Sequence, residues 1–271
     1  GVRLHYLDER PAARSGGPEG ARGSGAGDGR AALLFLHGNP TWSYLYRAVI
    51  RELRSEVRCL AVDYPGFGYS RAPAGYGFRP QDHVRWVGRW LEDLDAERLL
   101  IVAHDWGGPI GLSLAQTLGD RVSGLVVANS WCGPPGWPAR LFSLATGSRA
   151  AWPFYRWGNL FAGVVLPLAL HPRSRTGETL RAYRAPFRDR ARRLGTWMFP
   201  RALRSEGVWL EDLEDGLEEI RELPVELVWG LRDPVLGGRA VRERWLRHFP
   251  GAHVEEISDA GHYFPEDRPG A

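Results

Sequence analysis

Val102 to Pro109 reads VAHDWGGP. It continues the apolar run Leu99 to Val102 and leads at once into the helix-like stretch Ile110 to Leu118, so the predicted order is strand, sharp turn, helix. Ala103 and Gly107, two positions either side of Asp105, have the small side chains a tight turn needs where backbone around a protruding residue approaches its neighbours. A carboxylate at such a tip can attack carbon and form an ester. The same residues also suit an ordinary turn with an incidental acid, and the rest of the chain has to separate the two.

Upstream, Ala32 to His37 (ALLFLH) and Val57 to Val62 are continuous apolar runs of the kind found in strands buried on both faces of a parallel sheet, and Val2 to Leu7 alternates enough to be a first strand. Helices are expected from about Tyr44 to Leu53 and from about Pro80 to Leu94. Downstream come a strand at Val122 to Ala128, another at Val225 to Trp229, a helix from about Arg239 to His248 and a last strand at His253 to Ile257. This alternation predicts an α/β fold with a doubly wound, mostly parallel sheet. Between Cys132 and Leu223 the pattern changes to helix-length segments rich in Trp and Pro, with no convincing buried strand. An inserted helical cap is expected there, closing a pocket over the carboxyl ends of the strands. The division is therefore a core of residues 1–131 and 224–271 and a cap of 132–223. Residues 10–30, rich in Gly, Ala, Arg and Ser without a large apolar side chain, should be a flexible surface insertion. A final covering helix is expected after DAGHYFPEDRPGA and is missing, so both ends read as those of a fragment.

With 271 residues, 44% of them hydrophobic, the chain can bury the core of one large α/β domain. The net charge is +3, and all 35 positive residues are arginine. Scattered and interleaved with Asp and Glu, they argue against a nucleic-acid partner, which needs clustered charge. Two cysteines, Cys59 and Cys132, make no disulfide framework and fit a reducing cytoplasm. No export signal is visible. The most apolar window, Leu160 to Leu170, is about half a bilayer span and contains Pro167, so it reads as cap or core and no membrane partner is expected. No metal-ligand spacing appears, and the GFG and GSGAG stretches lack the strand-helix setting of a phosphate loop, so neither metal nor cofactor is implied.

Three chemistry-bearing residues follow strands in a consistent order: Asp105, Asp233 in WGLRDPV, and His262 in DAGHYF. Nucleophile, acid, histidine is the chain order of α/β-hydrolase triads. Singly, Asp233 suits a helix cap or Asp-Pro turn and His262 a loop histidine. Gly111 to Ala115 loosely mimics a serine elbow, but inside the helix. His37 and His104 flank strand ends as loop-tying hydrogen-bond partners, and His5, His83, His171, His248 and His253 lack any evident paired acid.

The motifs HGNPTWSYLYR, DYPGFGYS, VAHDWGG, WGLRDPVL and DAGHYFPED closely resemble haloalkane dehalogenases of the α/β-hydrolase superfamily, over nearly the whole chain outside residues 10–30 and parts of the cap. The resemblance implies hydrolytic cleavage of carbon-halogen bonds, with haloalkane and water as substrates, halide as product and no cofactor. It maps the nucleophile onto Asp105, the base onto His262, and the halide-stabilising pair onto Asn39 and Trp106, whose backbone N–H groups would form the oxyanion hole. Many relatives carry a glutamate after the strand that here is Val122 to Ala128; this chain reads ANSWCGP there, so the acid role goes to Asp233. That combination is similar to the third dehalogenase subfamily, which implies a tendency to form homo-oligomers.

Three rivals share the fold, the remotest a coelenterazine-type luciferase. Epoxide hydrolases have an Asp elbow but usually an aromatic residue in place of Asn39, and use cap tyrosines, for which Tyr155 and Tyr183 are available. Haloacid dehalogenases typically place an arginine where this chain has Trp106. A rival from another class is a non-catalytic ligand-binding protein on the same scaffold.

Overall fold

The computed structural model describes residues 2–11, 31–268 and 270; the expected flexible insertion lies, from residue 12 onward, outside them. Seven strands form one sheet: β1 (Tyr6–Glu9), β2 (Ala31–Leu36), β3 (Arg58–Val62), β4 (Arg98–His104), β5 (Val122–Ala128), β6 (Val225–Gly230) and β7 (His253–Ile257), in spatial order β1-β3-β2-β4-β5-β6-β7. Only β1 runs antiparallel to its neighbour. The apolar runs are buried as their composition requires, and every residue of β3 is inaccessible. The first strand starts at Tyr6, later than expected, because residues 3–5 hydrogen-bond to the loop after β3: Arg71 N–H donates to the Arg3 carbonyl at 2.8 Å and His5 N–H to Ser70 Oγ at 2.8 Å.

Helices α1 (Arg47–Leu53), α2 (Pro80–Glu92) and α3 (Gly107–Leu118) connect the first strands. The expected helix from Tyr44 begins instead as a tighter turn, Ser43–Tyr46, whose Ser43 N–H is taken by Asp63 Oδ1 at 2.8 Å. α2 starts with Pro80 at its first turn, where a missing N–H costs nothing, and Asp82 caps the Arg79 N–H at 3.2 Å. α3 lies against the sheet centre and buries eight of its twelve residues. Each buried Leu or Ile there contributes about 2 kcal/mol.

From residue 129 to 224 the described chain has helices and no strand: α4 (Trp137–Thr146), α5 (Trp152–Gly158), a π-type turn at Phe161–Val165, α6 (Leu166–Ala169), α7 (Gly177–Arg184), α8 (Leu194–Ser205) and α9 (Gly207–Asp215). Helix α10 (Arg239–His248) joins the last two strands and the short α11 (Phe264–Asp267) follows β7. No helix among the described residues is long and apolar enough to cross a membrane.

The strand order sets where chemistry can occur. β2 and β4 are neighbours, but the chain leaves β2 toward β3 on one side and β4 toward β5 on the other, which opens a crevice at their carboxyl ends. Leu36 pairs with Ala103 and His104 with Ala128 in register, so His37 to Asn39, Asp105, and Asn129 to Trp131 emerge together at that edge.

Candidate active site

Asp105 has φ +53, a left-handed conformation that non-glycine residues seldom adopt. The turn tolerates it because its neighbours are small. A Cβ at Gly107 would run into the Leu36 carbonyl oxygen, and one at Gly38 into the Asp105 carboxylate. Ser130 Oγ donates to the Asp105 carbonyl at 2.6 Å and fixes the tip from the β5 side. The two carboxylate oxygens are held differently: Oδ1 accepts the backbone N–H of Asn39 at 2.8 Å, while Oδ2 stands 3.5 Å from His262 Nε2.

His262 Nδ1 meets Asp233 Oδ2 at 2.7 Å, so Asp105, His262 and Asp233 form one connected line. Asp233 is 5% exposed and all its acceptor directions are used. Oδ1 takes the N–H groups of Val235 (2.9 Å) and Leu236 (3.0 Å), and Oδ2 takes Asn129 Nδ2 (2.9 Å) besides the histidine. Burial alone would raise the Asp233 pKa, but His262 and these donors hold it down at about 2. Burial would likewise depress His262, yet the Asp233 and Asp105 carboxylates outweigh it and push the imidazole up to about 10.

Around Asp105 the described residues enclose a cavity of about 120 Å³, lined by Asn39, Trp106, Trp131, Phe142, Phe161 and Leu203 among others. Trp106 is fixed by its rings: it stacks on Phe199 of α8 (centroids 5.1 Å apart, 14° between planes) and meets Trp131 edge to face at 4.9 Å. Its indole N–H has no partner among the described residues and its ring borders the cavity. The Asn39 amide is fixed by a proline. Pro200 lies inside α8 and cannot donate to the carbonyl four residues back, which is Thr196. That freed carbonyl accepts Asn39 Nδ2 at 3.0 Å, which orients the amide and leaves its second N–H uncommitted. The Asn39 carbonyl accepts the Tyr263 hydroxyl at 2.9 Å.

All five residues singled out from sequence, Asp105, His262, Asp233, Asn39 and Trp106, thus line one cavity. Five further residues support the site without a sequence signal that singles them out: Asn129, Ser130, Thr196, Pro200 and Tyr263. The loop-tying histidines are as expected: His104 Nε2 meets the His262 carbonyl at 2.8 Å, and His37 joins the Gly38 carbonyl at 2.8 Å to the Tyr64 N–H at 3.1 Å. Burial lowers both to about 4. Three other histidines need correction. His5 pairs with Asp63 at 2.8 Å, His248 with Glu214 at 2.8 Å and His253 with Glu226 at 3.0 Å; each acid lies too far along the chain to be seen from the histidine. Neither Tyr155 nor Tyr183 borders the cavity. Tyr155 is buried among Ala151 and Phe161, and Tyr183 donates to Glu266 at 2.8 Å.

Comparison with known proteins bears on the fold and the family. The chain matches the alpha/beta hydrolase fold family over residues 31–269. It is 32% identical over 273 residues to haloalkane dehalogenase 2 of Mycobacterium bovis, spanning 98% of this chain and 87% of that one. It is 27% identical over 278 residues to a cis-3-alkyl-4-alkyloxetan-2-one decarboxylase of Shewanella oneidensis, spanning 98% and 81%. The fold superposes on the crystal structure of an ancestral haloalkane dehalogenase with a TM-score of 0.83 at 27% identity, covering 98% and 91% of the two chains. The chain therefore belongs to the haloalkane dehalogenases, hydrolases built on the α/β-hydrolase fold.

Proposed function

We propose that this enzyme cleaves haloalkanes in two steps through an ester on Asp105, beneath a cap formed by residues 132–223. The unequal holding of the Asp105 oxygens carries this reading: Oδ1 is tied to the Asn39 N–H and Oδ2 is left to react. Oδ2 attacks the halogen-bearing carbon from the side opposite the halogen, the carbon-halogen bond breaks, and the electron pair leaves with the halide. The halide gathers charge in the transition state beside the Trp106 indole N–H and the spare Asn39 amide N–H, which stabilise it more than they do neutral substrate.

Ester formation removes the Asp105 negative charge, one of the two that keep His262 protonated. Its pKa falls and it gives up that proton to solvent, the proton released with the halide; the neutral imidazole then takes a proton from water, which attacks the Asp105 carbonyl carbon. Charge then develops on Oδ1, already bonded to the Asn39 backbone N–H, with the Trp106 backbone N–H as its second donor. Asp233 holds the tautomer and steadies the imidazolium. His262 returns the proton as the alcohol leaves with Oδ2. An epoxide would need a hydroxyl to protonate its oxygen; the tyrosine bordering the cavity, Tyr263, has its hydroxyl committed to the Asn39 carbonyl.

Purified enzyme should release bromide from 1-bromobutane or 1,2-dibromoethane, and a single turnover in ¹⁸O-water should place label in Asp105. Asp105→Asn should abolish release. Opening of styrene oxide with no halide from a broad panel of haloalkanes would overturn the reading, as would tight ligand binding without turnover.

A further inference from the structure

The arginines are evenly interleaved with acids only when the whole chain is averaged. Between residues 137 and 205 there are thirteen arginines against two carboxylates, Glu178 and Asp189. Among the described residues none of the thirteen forms an ion pair, whereas arginines elsewhere, such as Arg47, Arg58 and Arg244, do; Arg193 is buried on the Phe187 and Arg156 carbonyls and Arg192 is tied to those of Gly68 and Ser70, so neither counts toward the outer surface. The same segment carries most of the large apolar side chains left exposed: Trp137 (75%), Leu141 (57%), Leu144 (53%), Phe154 (64%), Trp157 (62%), Val164 (46%) and Leu168 (70%).

These are not scattered singly. Trp137, Leu141 and Leu144 recur at the spacing of one face of α4, with Arg140 on that face. Phe154 and Trp157 share a face of α5, and the guanidinium groups of Arg156 and Arg190 lie over the Trp157 ring at 5.8 and 4.3 Å. Arg184 donates to the Gly163 carbonyl beside Val164 at 3.0 Å, and Arg175 to the carbonyl of Leu168 itself at 2.9 Å. Guanidinium groups are thus held beside Trp157, Val164 and Leu168, and on α4 Arg140 shares the apolar face. The elements concerned turn their other sides, through Phe142, Phe161, Val165 and Ala169, toward the cavity.

We infer that this outer face docks on an anionic lipid bilayer. Unpaired guanidinium groups are drawn to the charged headgroups, and Trp, Phe and Leu side chains enter the boundary beneath. A nucleic acid would match the charge but has no use for exposed Leu141, Leu144, Val164 and Leu168. A surface that stores apolar molecules beside a cavity for apolar molecules suits the proposed reaction, although the docking itself does not depend on that reaction.

Flotation with phosphatidylcholine vesicles containing phosphatidylglycerol tests this. The protein should float with them, weakly or not at all with phosphatidylcholine alone, and less as salt rises. Arg140→Gln, Arg156→Gln and Arg190→Gln combined should lower partitioning roughly a hundredfold, at about fivefold per guanidinium. Trp157→Ser with Leu168→Ser should lower it roughly tenfold or more, whereas charge attraction alone would leave it unchanged. Bromide release from a water-soluble haloalkane and the thermal melt verify that the variants remain folded. The inference fails if wild type does not float, if either set of variants binds undiminished, or if duplex DNA is bound more tightly than vesicles. It also fails if the protein sediments as a dimer that Leu141→Ser and Leu144→Ser split, because a second copy would then cover this face.

Discussion

Tyr263 donates its hydroxyl to the carbonyl of Asn39 at 2.9 Å, joining the residue after the histidine to the residue whose N–H holds Asp105 Oδ1. Tyr263→Phe keeps the ring and leaves a buried carbonyl unpaired. Urea denaturation should show a loss of about 1–2 kcal/mol. Bromide release should fall about tenfold as the Asn39 loop loosens.

Trp106→Phe retains an aromatic ring to stack on Phe199 but removes the indole N–H. Loss of one preorganised donor to developing charge should slow halide release by about 10²-fold, measured in single-turnover experiments, with little change in melting temperature.

Pro200→Ala should uncouple stability from activity. The new N–H can bond the Thr196 carbonyl within α8, so the helix gains about 1 kcal/mol while the Asn39 amide meets a competitor for its anchor. Melting temperature should rise and the rate of bromide release fall by about fivefold; a variant slower and also less stable would contradict this.

The pH profile follows from the raised His262 pKa. A histidine with a folded pKa of about 10 against 6.5 contributes stability that is fully present below pH 6.5 and is lost as pH rises through about 10. The melting temperature should therefore decline across that interval. In Asp105→Asn one of the supporting carboxylates is gone, so the decline should be shallower. Asp233 acts at the other end: its contribution is present above pH 3.8 and is lost as pH falls through about 2.

Asn129→Ala removes the side chain that donates to Asp233 Oδ2 at 2.9 Å and accepts the Gly230 N–H at 2.7 Å. Loss of these buried bonds should cost about 3 kcal/mol and reduce turnover, with the larger effect on ester hydrolysis, where the imidazolium needs its partner. Accumulated alkyl-enzyme, seen by mass spectrometry, checks that assignment.

The strand rhythm and the order Asp105, Asp233, His262 were legible because each residue follows its own strand, and parallel strands deliver their following loops to one edge. The supports were hidden for different reasons. Asn129 drew notice only as a place without an acid, although an asparagine directly after a strand suits the left-handed backbone it adopts, φ +33. Thr196 acts through its carbonyl, which no side chain announces, and a proline within a helix-length segment was the available clue to Pro200. Among the aromatic residues from 137 to 205, sequence could not sort inward from outward: Phe142 and Phe161 border the cavity, Phe154 faces solvent, and Phe187 packs on Phe67.

The unequal treatment of the Asp105 oxygens also has a consequence for chiral substrates. In the proposed mechanism, with Oδ1 tethered, Oδ2 attacks a secondary halide from behind, and the configuration at its carbon inverts as the ester forms. Hydrolysis then cuts the bond between Oδ2 and the Asp105 carbonyl carbon and never touches the stereocentre. A single enantiomer of a 2-bromoalkane should emerge as the alcohol of opposite handedness, because the one bond exchanged at the stereocentre is exchanged from behind, and the tether on Oδ1 decides which oxygen the alcohol carries away.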